Sequence, residues 1–217
     1  MDTVRARLVC FLRRGRAPAA QIRKMSRSGK ILVFGASIVL NFTTPVRADE
    51  RSFGEGDRTR GLVGGWGHSW RPFFSQTRSE ITFVAFHPRM GWLVTDRLEL
   101  YGEATLFVYD RPQAALSAGL GGLAGRYYLR TSGGWTPYVH AGAGLLWTSL
   151  DVPEIDRIFN FQLFVGVGWR HTRASGPCWV FEFRNHHISN AGTAGKNLGI
   201  NAATVLTGVE WVLRRSP

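Results

Sequence analysis

The sequence predicts an all-β protein, an eight-stranded antiparallel transmembrane β-barrel preceded by a cleavable signal peptide. Three observations predict it. Apolar and polar residues alternate with a period of two over repeated segments, many of them long enough to cross a bilayer as tilted strands. Glycine and tryptophan are abundant, 26 and 8 of the 217 residues, as in glycine- and aromatic-rich β proteins. No uninterrupted apolar run reaches the roughly 18 residues of a membrane-spanning helix.

The chain divides into a leader, residues 1–48, and a barrel, residues 49–217. In the leader, Arg27 and Lys30 precede a short apolar core from Ile31 to Phe42. A proline and the Val-Arg-Ala triplet ending at Ala48 follow, completing the n-region, h-region and cleavage site of a secretory signal. The alternative is an uncleaved N-terminal anchor. Residues 1–24 sit awkwardly before such a signal, which suggests a translation start at Met25; N-terminal sequencing of the precursor decides between the two starts.

Eight strands follow, at about 61–69, 79–87, 97–109, 117–130, 136–150, 158–171, 178–189 and 201–213. Turn signals separate them: His87-Pro88, Asp110-Arg111-Pro112, Ser132-Gly133-Gly134, Asp151-Val152-Pro153 and Ser175-Gly176-Pro177. Phe159 to Arg170 shows the alternation best. Phe159, Phe161, Leu163, Val165, Val167 and Trp169 share one face; Asn160, Gln162, Phe164, Gly166, Gly168 and Arg170 share the other. A membrane barrel turns the apolar face to lipid, whereas a soluble lipocalin-like barrel turns it inward. Trp92, Trp135, Trp147, Trp169, Trp179 and Trp211 fall near segment ends, where interfacial girdles lie. Gly119, Gly121, Gly125, Gly142, Gly144, Gly166 and Gly168 suit the interior of a narrow barrel.

The formal net charge of +12 suggests at first a nucleic-acid or anionic-membrane partner. Residues 1–48, however, hold ten basic residues against Asp2 alone. The remaining 169 residues hold 17 basic and 14 acidic residues, a net +3, and nucleic acid drops out. Cys10 and Cys178 are the only cysteines, so neither a disulfide framework nor a cysteine zinc site is available.

Chemistry concentrates in residues 181–192, FEFRNHHISNAG. Polar groups on a lipid-facing strand are costly, so their presence there calls for a reason. By parity, His187 and Ser189 lie on the lipid-facing side, and Glu182, Arg184 and His186 face the lumen. Asn201 belongs to the lipid-facing set of the last strand. With both termini periplasmic, these three residues meet at the cell-surface end. A serine beside an imidazole can act as nucleophile and base, with a third group orienting the ring. The Asn190 amide could donate to an oxyanion. The other reading of these residues is that they merely cap a strand end.

The segment FRNHHISNAG, followed by Lys196-Asn197-Leu198-Gly199-Ile200-Asn201, resembles the lipid A 3-O-deacylase family, the PagL-type acyloxyacyl hydrolases of the outer membrane. The core of the resemblance is His187 to Gly192. The Asn-x-Gly-Ile element and the segment Leu98 to Glu103 support it. The resemblance implies a serine esterase, free of metal and cofactor, that removes the acyl chain at the 3-position of lipid A. It implies His187 as general base, Ser189 as nucleophile and Asn190 in the oxyanion hole. The family's third catalytic residue is a Glu twelve positions after the serine; Asn201 stands there instead. An Asn can orient the imidazole but supplies no charge. The alternative is therefore a catalytically inactive outer-membrane barrel with a structural or binding role. Lipid A, or lipopolysaccharide, is the implied partner; a homodimer is left open.

Overall fold

The computed structural model describes residues 53–72, 75–131, 134–173 and 176–214. The expected signal peptide and the start at Met25 lie outside the described residues. Eight strands form a closed barrel in which each pairs antiparallel with the next and the last returns to the first. They are β1 (Arg58–Ser69), β2 (Thr82–Leu93), β3 (Leu98–Arg111), β4 (Ala115–Tyr128), β5 (Trp135–Thr148), β6 (Phe159–His171), β7 (Cys178–Ser189) and β8 (Ile200–Leu213).

Alternation decides which face looks out. In β6, Asn160, Gln162 and Arg170 are buried, while Leu163, Val165 and Trp169 are exposed. In β3, Glu99, Tyr101 and Glu103 are buried and Leu100 and Leu106 are exposed. The apolar side chains thus form the outer wall, as in a barrel bathed in lipid. The lipocalin-like alternative has the opposite polarity and is ruled out. Trp92, Trp147, Trp169, Trp179 and Trp211 all stand on this wall.

Two details depart from the sequence reading. The expected turn at His87-Pro88 is absent, and β2 runs straight through it. Proline has no N–H to give a ladder, so it needs a position where none is required. The β2–β3 pairing supplies one by passing from Phe86↔Leu106 to Arg89↔Glu103. The second concerns Gly125, expected inside. A register irregularity between Leu120 and Leu123 adds a bulge to β4. Parity reverses beyond it, so Ala124, Arg126 and Tyr128 turn inward and Gly125 joins the outer face.

The inward face is charged and paired. Arg126 bridges Glu99 and Glu210, each at 3.0 Å, and Arg170 binds the same two carboxylates. Arg184 joins Glu103 at 2.7 Å and Glu182 at 2.8 Å, and Arg89 reaches Glu182 at 2.8 Å. Tyr128 and Tyr138 donate to Glu99 and Glu182. Removing one member leaves its partners buried without their counter-charge. Glu210→Ala is therefore expected to lower the unfolding free energy by about 3 kcal/mol. Urea unfolding in lipid vesicles measures this; a loss under about 1 kcal/mol, the range of exposed ion pairs, would contradict it.

The two barrel ends differ. At the end that holds the start of β1 and the end of β8, consecutive strands are separated only by 94–97, 129–134 and 172–177; residues 132, 133, 174 and 175, on which two of the expected turns partly fall, lie outside the described residues. The other end carries the longer segments 70–81, 149–158 and 190–199, together with the short connection 112–114. Long loops mark the cell-surface end of outer-membrane barrels. Leu150, Val152 and Ile155 in the 149–158 segment are buried in the same apolar cluster as Leu146, Ile188 and Ile200, and Ile155 bridges Asn197 of the 190–199 segment. That packing ties the loops to the strand ends on which the site sits.

Candidate active site

β7 and β8 set His187 opposite Asn201 through register, and β7 carries Ser189 on the same face. His187 is the direct cross-strand partner of Asn201. Both side chains sit on the outer face, and His187 Nδ1 lies 3.0 Å from Asn201 Oδ1. Ser189 follows two residues after His187 on the same face, about 7 Å further along the strand by its rise. Its cross-strand partner on β6 is Phe161, next to the aromatic contacts of Trp147, Phe159 and Phe161. His187 has the exposed Leu163 as its β6 partner. The polar trio therefore opens onto an apolar wall. The adjacent His186 points the other way, into the lumen, where it meets Gln162 at 3.1 Å. Glu182 and Glu210, the nearest carboxylates in sequence, are consumed by the lumen ion pairs and face away from His187.

Asn190 is buried and locks the turn that follows Ser189. Its Nδ2 donates to the Lys196 carbonyl at 2.6 Å, and its Oδ1 accepts from Gly192 N at 2.9 Å. Its own backbone N–H donates to Asn197 Oδ1 at 3.0 Å. Ala191, with φ 52°, then takes the left-handed conformation that non-glycine residues seldom adopt. The Asn190 contacts hold it there. One of the two amide N–H groups of Asn190 remains for another acceptor.

The loops contribute residues that sequence alone did not single out. Asn201 Nδ2 donates to Ser75 Oγ at 3.0 Å, and Asn201 N donates to Thr77 Oγ1 at 2.9 Å. Trp70 Nε1 donates to Asn185 Oδ1 at 2.7 Å, one pleat below His187 on the outer face. Asn185 shares parity with the apolar set of β7, and that clash of polarity is a signal by which it could have been found. Glu154 links the loops. Its carboxylate accepts from the N–H groups of Arg78 and Ser79 and from the Ser79 hydroxyl, at 2.6 to 2.8 Å. Its carbonyl accepts from Leu198 and Gly199. Burial raises the Glu154 pKa, but these donors outweigh it and hold the carboxyl below its usual value.

Gly199 packs against the imidazole itself. It has φ 72°, and a Cβ there would stand 2.7 Å from His187 Cε1. Gly199→Ala is expected to displace the ring and to strain the backbone at once. The ring resonances of His187 should shift, and the strain should lower the unfolding free energy by about 1 kcal/mol. Ring chemical shifts and urea unfolding measured on one sample check both halves; unaltered His187 resonances contradict the packing against the ring.

The comparisons with known proteins bear on this arrangement. The model of the lipid A 3-O-deacylase (PagL) family matches residues 62–210, from β1 to β8 and across every residue of the trio. None of the curated proteins matches the chain. Among solved structures, Neisserial surface protein A has a TM-score of 0.54 and 14% identity, covering 73% of this chain and 97% of its own. The N-terminal barrel domain of Pseudomonas aeruginosa OprF gives a TM-score of 0.44 and 16% identity, covering 73% and 100%. The outer membrane enzyme PagL gives a TM-score of 0.34 and 16% identity, covering 70% and 98%. The first of these likenesses supports the barrel fold, and the family follows from the sequence match over most of the chain. With its apolar outer wall and closed eight-stranded sheet, the chain is an outer-membrane β-barrel and belongs to the lipid A 3-O-deacylase (PagL) family.

Proposed function

We propose that this barrel is a membrane-embedded serine esterase that removes the 3-O-linked acyl chain of lipid A in the bacterial outer membrane. The observation that carries the reading is the 3.0 Å contact between His187 Nδ1 and Asn201 Oδ1, with Ser189 beside it on the lipid-facing wall.

The contact makes Nδ1 the protonated nitrogen and leaves the Nε2 lone pair for the serine. In the proposed sequence, Ser189 Oγ attacks the ester carbonyl and its proton passes to His187 Nε2. The carbonyl oxygen becomes an oxyanion, to which the second N–H of Asn190 Nδ2 donates. Collapse breaks the bond to the sugar oxygen, which takes the proton from His187. Water, activated by the same imidazole, then releases the fatty acid and restores Ser189. The substrate arrives by lateral diffusion, because the site opens on the outer wall. Exposed Arg71, Arg78, Arg157 and Lys196 in the long loops suit the phosphates of lipid A.

A second reading, an inactive barrel of the same family, is favoured by the neutral Asn201. The two part on one experiment. The barrel folded in detergent is mixed with purified lipid A, and tandem mass spectrometry locates the ester that is lost. Release of the acyl chain from the 3-position supports the esterase. No released fatty acid, or release from another position, overturns it.

A further inference from the structure

The hydrogen bonds around Asn201 have a direction, and one carbonyl sets it. Thr77 Oγ1 lies 3.2 Å from the Gly199 carbonyl oxygen, which can only accept. The Thr77 hydroxyl proton is therefore spent there. Thr77 Oγ1 then accepts twice, from Asn201 N at 2.9 Å and from the Ser75 hydroxyl at 2.9 Å. Ser75 has likewise given away its proton, and it accepts from Thr77 N at 3.2 Å. Its remaining lone pair can meet only a donor. The atom of Asn201 that faces it, at 3.0 Å, must be the amide NH₂. The amide oxygen is thereby turned to His187, and Nδ1 must carry the ring proton.

The opposite polarity is chemically conceivable. Thr77 would donate to Ser75, Ser75 to a flipped Asn201 oxygen, and the Asn201 NH₂ to a bare Nδ1. His187 would then be protonated on Nε2 and unable to take a proton from Ser189. That arrangement leaves the Gly199 carbonyl without its Thr77 donor. A family member with a carboxylate at this position has no such ambiguity, since a carboxylate only accepts. The neutral side chain at position 201 is what makes the direction matter.

We infer that Ser75 and Thr77 are positioning residues: anchored on the Gly199 carbonyl, they fix the Asn201 amide and thereby hold His187 in the tautomer that can act as base. The inference rests on the esterase reading for its consequence in catalysis, but its structural half can be tested without turnover.

The test is a double-mutant cycle of Ser75→Ala and Asn201→Asp on the full barrel in lipid, read in two ways. The first readout is nitrogen-15 NMR of the His187 ring in its neutral form. The parent should show Nδ1 protonated, Ser75→Ala a mixture of tautomers, and Ser75→Ala with Asn201→Asp Nδ1 protonated again. The second readout is hydrolysis. Ser75→Ala should lower kcat about tenfold, the worth of one hydrogen bond, at unchanged KM. In the Asn201→Asp background the same change should cost less than about twofold, because a carboxylate has no wrong face. Equal losses in both backgrounds would mean that Ser75 only shapes the loop, and an unchanged tautomer in Ser75→Ala would overturn the inference whatever the rates. A parent without hydrolysis but with the tautomer pattern described would remove the esterase reading and leave the positioning intact.

Discussion

Ser189→Ala is expected to reduce deacylation by on the order of 10⁴-fold or more, and His187→Ala by a similar factor. The reasoning is that the two residues act as one unit. Without Oγ there is no acyl acceptor, and without Nε2 there is no acceptor for the Oγ proton. Removing both should cost little more than removing either. Neither side chain takes part in the lumen network, so the folded barrel should persist in each variant. A fluorophosphonate probe offers an independent check. It should label Ser189 in the parent and fail to label the His187→Ala protein. Labelling at another serine, or equal turnover in Ser189→Ala, would contradict the assignment.

Asn201→Asp is expected to raise kcat by about 10- to 10²-fold, the gain of a charge-assisted over a neutral hydrogen bond. In a serine protease the reverse change, carboxylate to amide, costs about 10⁴ because the imidazole adopts the wrong tautomer. Here the Ser75–Thr77 pair already secures the right one, so the gain is the charge term, less the Ser75–Thr77 hydrogen bond that is given up when the Ser75 hydroxyl turns to donate to the new carboxylate oxygen. A carboxylate opposite Nδ1 stabilises the imidazolium that forms when Ser189 gives up its proton. Asp keeps the reach of Asn, whereas Glu, the family's residue, is one methylene longer. Asn201→Glu should therefore gain less unless Ser75 moves. Steady-state rates for the two variants check this. A fall in both would show that the neutral amide is used for something a carboxylate cannot do.

The barrel was legible because its information is periodic. Alternation in β6 and β3 gave the strands, and parity alone put His187, Ser189 and Asn201 on one outer face. Parity also kept Glu182 and Glu210 out of the site. It failed where the period is interrupted. The bulge in β4 moved Gly125 outward, and Pro88 looked like a turn because a proline inside a strand needs a gap in the neighbouring ladder. Cross-barrel pairs such as Arg126 with Glu210 join residues far apart in the chain, and alternation carries no signal for them. The loops were opaque for the same reason. Ser75, Thr77 and Glu154 lie in segments without a repeat, and their roles depend on which loop folds over which. The motif Asn-x-Gly-Ile was visible as a resemblance, but the need for glycine at 199 appears only once the His187 ring is seen against it.

The central claim is that Ser189, on the lipid-facing wall, cleaves an ester of lipid A. The most direct measurement is the mass of lipid A from outer membranes that contain the mature barrel, set beside membranes that contain the same amount of folded Ser189→Ala. The account predicts lipid A lighter by one 3-O-linked acyl chain with the parent and unaltered with Ser189→Ala. Lipid A unaltered by the parent, or lightened equally by the variant, would contradict it.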